Sequence, residues 1–306
     1  MGRFWCDRCG NFRCTCKREP EQPEAPAPAI PDEGSQRQFL VLNEETGVHQ
    51  LFSESEWDQN RKFNELVAAT PLAWVTVALI AINVGVFLVM LIGGVSPFNP
   101  TTDSLLAWGA NYGPLTLHGQ WWRLVSAAFA HAGLLHLAFN MFCLFRVGFF
   151  AERVFGNARF GAIYLLSGIG GNLASLYWHP LVAGVGASGA VFGVYGAVLG
   201  FMIAQPNMLP LARAQTLTKD VLMFIGVNFV YGITSPKIDM AAHIAGLVTG
   251  LLLSAALGRT LSLPKTGLWS RTVAAAAVVT IAVAAGVFAM IHELACCLVW
   301  CSLSAY

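Results

Sequence analysis

Seven stretches of this chain are apolar over a length that can cross a lipid bilayer, and they constrain the fold more than any other feature. A helix needs about 20 apolar residues to cross the hydrocarbon core of a membrane. The stretches are residues 70–93, 134–153, 160–178, 184–204, 219–235, 239–258 and 271–291. Apolar residue types make up 56% of the chain and charged types only 11%. This balance excludes a soluble globular protein and predicts an all-α polytopic membrane protein.

Composition divides the chain into four parts. Residues 1–18 are rich in cysteine, and 19–66 form a linker and cytoplasmic lead-in that begins with a Pro/Glu-rich run. Within that second part, residues 38–51 are predicted to form a short strand pair. Residues 67–258 contain six of the apolar stretches, and 259–306 contain an inner loop, the seventh stretch and a short outer tail.

Basic residues are distributed unequally between the two sides of the predicted membrane. With the N-terminus inside, the outer side holds only Arg123 and Lys237. The inner side then holds Arg61, Lys62, Arg146, Arg153, Arg159, Arg213, Lys219, Arg259, Lys265 and Arg271. The excess of Lys and Arg predicts a cytoplasmic N-terminus and an outer C-terminus, and we place the protein in a bacterial plasma membrane. The net charge of +1 indicates no nucleic-acid partner.

Four cysteines lie close together near the N-terminus, at Cys6, Cys9, Cys14 and Cys16. Their number and spacing predict a small zinc knuckle on the reducing side of the membrane. Four thiolates would close the coordination shell, so the Zn²⁺ would be structural and not catalytic. The alternative is a tail whose thiols bind no metal.

Ser188 and His243 are polar residues inside two of the apolar stretches. Each lies about five residues from the predicted start of its helix, which places both about 7 Å below the outer membrane face. A lone serine among small residues usually serves close helix packing, and for Ser188 alone that interpretation remains open. A serine and a histidine at equal depth indicate instead a nucleophile and its general base.

Small residues predict that the helices of Ser188 and His243 pack closely, because glycine lets a neighbouring backbone approach. Phe192, one turn below Ser188, is predicted to pack on the ring of His243 and fix its orientation. The two facing ridges are Ser188, Phe192, Gly196 and Gly200 on one helix, and His243, Gly246 and Gly250 on the other.

Polar residues also occur at the start of the second apolar stretch, where His136 and Asn140 are four apart and share a helix face. Polar groups at membrane depth usually face a cavity or a partner, so these two are candidate donors to a substrate carbonyl. The alternative is hydrogen bonding between helices alone. At the other end of this stretch, Glu152 and Arg153 are predicted to form an ion pair.

The outer segment 94–133 is unusually apolar for a loop and is predicted to lie partly in the membrane, braced by its own hydrogen bonds. Arg123 is its single arginine. We interpret this residue as a structural pin and not as a catalytic group.

Four groups of residues stand out together. They are Trp122-Arg123, His131-x4-His136-x3-Asn140, Gly186-Ala-Ser188-Gly189 and Ala242-His243-x2-Gly246-x3-Gly250. In combination they resemble the signature motifs of the rhomboid intramembrane serine proteases, over roughly residues 70–258. The resemblance implies a rhomboid-like six-helix core, and the seventh stretch resembles the additional C-terminal helix found in part of that family.

The resemblance also implies a role for each matching residue. Ser188 would be the nucleophile and His243 its general base. His136, Asn140 and the backbone N–H of Ser188 would form the oxyanion hole. Where rhomboids often have a tyrosine one turn after the serine, this chain has Phe192, which keeps the ring but loses the hydroxyl.

We therefore predict an intramembrane serine endopeptidase that cuts in or near transmembrane helices of membrane-protein substrates, with a Ser188–His243 dyad and no cofactor for catalysis. Asp239 lies at a helix edge, so a triad is not expected. Its partners would be these substrates and membrane lipid. The alternative is a catalytically silent rhomboid-like protein that binds membrane clients, but such a protein should lack the serine or the histidine. A transporter should show an internal repeat and ionisable residues along a midplane path, and the sequence shows neither.

Overall fold

The fold is known from a computed structural model that describes residues 38–42, 49–234 and 238–257. The predicted zinc knuckle at 1–18 and the predicted seventh helix at 271–291 lie outside these residues. The chain divides into two compact units, Met1–Asp58 and Gln59–Tyr306.

In the first unit, two strands form an antiparallel ribbon, as the sequence predicted. Strand β1 (Gln38–Leu42) pairs with β2 (His49–Ser53), so that the first residue of β1 lies opposite the last residue of β2. Helix α1 (Glu54–Ala68) follows directly, and its residues from Gln59 onward belong to the second unit. The Ser53 N–H donates to Glu56 Oε2 at 2.9 Å, and the Glu56 N–H donates to Ser53 Oγ at 3.3 Å. This reciprocal capping box starts the helix.

In the second unit, long helices lie over each of the first six predicted apolar stretches. The helices after α1 are α2 (Trp74–Ile92), α3 (Thr102–Ala107), α4 (Gly113–Thr116), α5 (Arg123–Ser126), α6 (Leu134–Phe155), α7 (Asn157–Trp178), α8 (Ser188–Ala204), α9 (Leu211–Thr234) and α10 (Met240–Leu257). Among the described helices, α2, α6 and α9 are long and apolar enough to cross a membrane, while α8 and α10 are apolar but shorter.

Helix α8 is at the centre of the second unit. Twelve of its 17 residues are buried, because α6, α7 and α10 all pack against it. Its contact with α10 is made through backbone: a Cβ built on Gly246 would overlap the carbonyl of Gly189, and one on Gly250 would overlap that of Gly193. The close approach predicted for the α10 glycines is therefore confirmed. Their partners on α8 lie one residue beyond the predicted ridge, but Gly196 and Gly200 of that ridge also face α10 carbonyls, those of Leu247 and Leu251.

Glu152 caps helix α2, and the predicted ion pair with Arg153 is wrong. The Glu152 carboxylate is fully buried and accepts hydrogen bonds from the Val75 N–H at 2.7 Å, the Thr76 N–H at 2.7 Å and Thr76 Oγ1 at 2.6 Å. The first N–H groups of a helix have no partner within it, and a carboxylate is favoured at that end of the helix dipole. Adjacent residues on a helix do not face each other, so Arg153 points elsewhere.

Candidate active site

Arg123 joins distant parts of the segment between α2 and α6. Its side chain is 5% exposed. Nη1 donates to the carbonyls of Leu106 and Ala110, both at 2.8 Å. Nε donates to Gln120 Oε1 at 2.7 Å, and the guanidinium lies over the Trp122 ring at 4.8 Å. All of these partners belong to the same segment, which is the arrangement expected of a structural pin.

The loop that leads into α8 is hydrogen-bonded to this segment. The backbones of Asn111 and Gly184 donate to each other at 2.9 and 2.8 Å. Two residues later, the Gly186 N–H donates to the Ala127 carbonyl at 2.8 Å. The segment therefore holds the loop at two points just before Ser188.

Two asparagines extend these hydrogen bonds to α7. Asn111 Nδ2 donates to the Asn172 carbonyl at 2.8 Å, and Asn172 Nδ2 donates to the Leu124 carbonyl at 2.8 Å. Thr116 Oγ1 donates to Asn111 Oδ1 at 3.0 Å. The segment, the loop before α8 and the α7 helix thus form one hydrogen-bonded network.

Gly186 lets the backbone pass directly against the His136 ring. Its φ is +125°, a conformation that residues with a side chain rarely adopt. A Cβ at this position would lie 2.6 Å from His136 Cε1 and 2.8 Å from Nε2. Both the backbone conformation and the space available require glycine here. With no side chain at this position, the loop that leads to Ser188 lies directly against His136.

His131 also contacts this loop, and sequence reasoning assigned it no role. It is fully buried, its Nδ1 lies 3.2 Å from the Phe129 carbonyl, and its Nε2 accepts from the Ala187 N–H at 3.5 Å. These two contacts suit a neutral ring with the proton on Nδ1. The rings of His131 and His136 lie 5.2 Å apart. The spacing His131-x4-His136 was therefore the sequence signal that could have placed His131 at the site.

Ser188 is half-buried and is the first residue of α8. The prediction that this helix begins near residue 184, with Ser188 about five residues inside it, is therefore wrong. The apolar run continues through the loop, but the positive φ of Gly186 cannot belong to a right-handed helix. His243 is the fourth residue of α10 (Met240–Leu257), so its predicted position near the start of its helix is only slightly shifted.

The His243 ring stacks on Phe192, with centroids 4.3 Å apart and planes at 16°. Both side chains are buried, at 7% and 5% exposed. Because Phe192 lies one turn after Ser188, this contact holds the imidazole against the first turn of α8. Phe224 of α9 contacts Phe192 in turn, with ring centroids 4.8 Å apart.

Among the described residues, no hydrogen bond joins the side chains of Ser188 and His243. The buried Nδ1 of His243 has no partner there either. Catalytic hydrogen bonds are often long in a free enzyme and shorten when substrate binds. Asp239 Oδ1 accepts from the Ala242 N–H at 3.0 Å and so caps α10. Because His243 Nδ1 has no partner among these residues, Asp239 does not hold the ring by a hydrogen bond to that nitrogen.

His136 and Asn140 lie one turn apart on α6, as the spacing predicted. His136 is half-buried beside Gly186, and Asn140 is buried. Asn140 Nδ2 donates to the His136 carbonyl at 3.0 Å. An amide nitrogen carries two N–H groups, so this bond leaves one donor for a further acceptor.

Comparisons with known proteins match this region of the chain. The family model described as the Rhomboid domain matches residues 118–260, which include every residue proposed for the site. The chain is 35% identical to Rhomboid protease GluP of Bacillus subtilis over 75% of its own length and 43% of that protein. It is 33% identical to Rhomboid protease AarA of Providencia stuartii over 59% of its length and 71% of that protein. It is 36% identical to Putative rhomboid protease YdcA of Bacillus subtilis over 51% of its length and 79% of that protein.

Proposed function

Since the chain belongs to the rhomboid family, we propose that it is an intramembrane serine endopeptidase with Ser188 as nucleophile and His243 as general base. One observation carries the proposal: His243 stacks on Phe192, one turn from the serine. A base is thereby held beside the terminus of the helix that begins with the nucleophile.

The reaction would follow the serine hydrolase template with a dyad. His243 removes the hydroxyl proton of Ser188 as Oγ attacks the scissile carbonyl. The protonated imidazole then gives this proton to the leaving amine, the C–N bond breaks, and an acyl-enzyme remains. In the second half, His243 removes a proton from water, the hydroxide attacks the ester, and the proton returns to Ser188 Oγ.

The negative charge that forms on the carbonyl oxygen would be stabilised by N–H groups around the start of α8. The first N–H groups of a helix have no partner within it, and the positive end of the helix dipole lies there. The Ser188 N–H would share this task with the His136 ring and the second N–H of Asn140. Each such donor contributes about 3–4 kcal/mol in serine hydrolases. The contact of Gly186 with His136 supports this assignment.

Packing, and not an acidic residue, would hold the general base in place. The ring of Phe192 covers the face of the imidazole, while the Asp239 carboxylate is engaged in capping α10. A dyad therefore depends on the ring contact more strongly than a triad would.

Substrates would be membrane proteins with a transmembrane segment that unwinds easily. A peptide bond inside a helix is shielded by its own hydrogen bonds, so small and helix-breaking residues near the cut are expected. The distribution of basic residues supports an orientation with Ser188 near the outer face of the membrane. Water would then reach the site from that side.

Cleavage of a co-expressed single-span reporter tests the proposal. Wild type should cut the reporter, whereas Ser188→Ala and His243→Ala should not. An activity-based serine probe should label wild type and leave Ser188→Ala unlabelled. Matched controls are Ser254→Ala, a serine on α10, and His179→Ala, an exposed histidine after α7; both should cut normally.

Two results would overturn the assignment. Cleavage by both Ser188→Ala and His243→Ala would remove the dyad. A wild type that binds the reporter and never cuts it would instead favour the silent client-binding alternative.

A further inference from the structure

A pocket lies between α1, α6 and α9, and none of the residues proposed for the active site lines it. It has a volume of about 320 Å³, and its lining consists of Phe63, Val67, Phe149, Phe150, Arg153 and Arg213. Four of these six side chains are apolar and the other two are arginines. The pocket therefore combines an apolar interior with positive charge.

The apolar side chains of the lining are buried or half-buried, and the two charged ones are exposed. Phe63 is buried and stacks on Phe150 with ring centroids 6.4 Å apart. Arg153 and Arg213 are exposed. The Arg213 guanidinium lies over the Phe63 ring at 4.9 Å. An arginine stacked on an aromatic ring is well suited to binding a planar or tetrahedral anion.

The two arginines have no acidic partner among residues 59–234 and 238–257, although acids lie on the same three helices. Glu65 of α1 pairs with Arg61, and Asp220 of α9 pairs with Arg146. Glu152, next to Arg153, is buried and bonded to the start of α2. The positive charge at the pocket is therefore not neutralised by these acids.

The pocket lies at the end of the bundle opposite the candidate active site. Arg153 is in the last turn of α6, 17 residues after His136 in the same helix. At 1.5 Å per residue the two positions are about 25 Å apart along the helix axis. This distance is close to the thickness of the hydrocarbon core. With the candidate active site near one membrane face, the arginines would therefore be at the level of lipid headgroups in the opposite leaflet.

We propose that this pocket is a binding site for an anionic phospholipid. The headgroup phosphate lies between Arg153 and Arg213, and an acyl chain packs against Phe149 and Phe150. Basic pockets between membrane helices bind anionic headgroups in this way. The site is independent of the proteolytic function proposed above, because it shares no residue with the proposed site.

Native mass spectrometry of the full-length protein in detergent tests the proposal, with phosphatidylglycerol and phosphatidylcholine of identical acyl chains as ligands. Wild type should bind phosphatidylglycerol more tightly. The Arg153→Gln, Arg213→Gln double variant should lose roughly twenty-five-fold in affinity for it, since each arginine near a charged headgroup contributes roughly fivefold. Its affinity for phosphatidylcholine should fall much less, because the choline cation offsets the charge of that lipid's phosphate.

Arg146→Gln is the matched control, because Arg146 is an exposed arginine on the same helix that is already paired with Asp220. It should bind phosphatidylglycerol as wild type does. A loss as large as that of the double variant would show a general charge effect and overturn the site. The site would also be overturned by a double variant that keeps the wild-type preference for phosphatidylglycerol, or by a wild type that binds both lipids equally. Inorganic phosphate forms a further arm: if it binds the pocket as tightly as phosphatidylglycerol does, the acyl chain contributes nothing and the pocket binds a free anion instead of a lipid. Ser188→Ala should bind phosphatidylglycerol as wild type does. The lipid experiment can therefore succeed or fail independently of the proposed proteolytic function.

Discussion

The backbone contact between α8 and α10 leads to a prediction for Gly250→Ala. A Cβ at this position would lie 2.5 Å from the carbonyl carbon of Gly193 and 2.7 Å from its Cα. Ordinary contacts between carbon atoms are about 3.5–4.0 Å. Because the contacted atoms are backbone, no side chain can rotate away, and the helices must separate by about 1 Å.

The expected cost follows from two opposing effects. Overpacking of this kind costs about 1–3 kcal/mol, and replacing glycine by alanine inside a helix returns about 1 kcal/mol. Because backbone meets backbone, we take the upper part of the first range, so Gly250→Ala should lower the free energy of unfolding by about 2 kcal/mol. A shift of about 1 Å in a catalytic arrangement can also reduce the rate about a hundredfold.

The chain offers a matched control in Gly226→Ala. Gly226 lies within α9, and a Cβ there meets nothing within 4 Å. This variant should be as stable as wild type or up to about 1 kcal/mol more stable. Reversible unfolding in mixed detergent micelles measures the stability of both variants, and cleavage of the reporter measures their activity.

For the reasoning to hold, Gly250→Ala must lower the free energy of unfolding, whereas Gly226→Ala must leave it unchanged or raise it. If Gly250→Ala proves as stable as Gly226→Ala and cuts the reporter at the wild-type rate, α8 and α10 are not in backbone contact. The placement of His243 against α8 would then lose its basis.

Three further predictions concern single residues. Glu152→Ala leaves N–H groups at the start of α2 without an acceptor and should lower the free energy of unfolding by about 3 kcal/mol; Glu152→Gln, which keeps one acceptor oxygen, should lose less in the same unfolding assay. Phe192→Leu keeps an apolar side chain but loses the stacked ring, worth about 0.5–1.5 kcal/mol, so reporter cleavage should slow severalfold while the protein stays folded; an unchanged rate would show that His243 needs no ring contact. Metal analysis of the purified full-length protein should find about one zinc per chain, which Cys6→Ser with Cys9→Ser should remove; wild type without zinc would eliminate the knuckle.

Much of the fold followed from hydropathy and from glycine spacing. The apolar stretches predicted the positions of the long helices because lipid selects continuous apolar helices. Gly246 and Gly250 predicted the close contact of α10 because only small residues let backbones approach. The Phe192–His243 contact could be predicted because a ring one turn from Ser188 lies on the same helix face.

Other features depend on information that hydropathy does not contain. The loop before Ser188 is as apolar as the helix that follows, so only the conformation of Gly186 shows where the helix begins. Glu152 stands beside Arg153 in the sequence, but its partners lie 76 and 77 residues away. His131 accepts a hydrogen bond from the backbone N–H of Ala187. A contact to backbone does not depend on the partner's residue type, so the sequence cannot indicate it.

The hydrogen bonds of Asn111 and Asn172 connect α7 to the outer segment. They join pieces of chain that are 61 residues apart in one case and 48 in the other, and Asn111 also pairs with the loop before the serine. We expect pieces joined in this way to open together. The loop before Ser188 is therefore tied at several points to the outer segment and to α7, and we expect local opening to begin in helices outside this network.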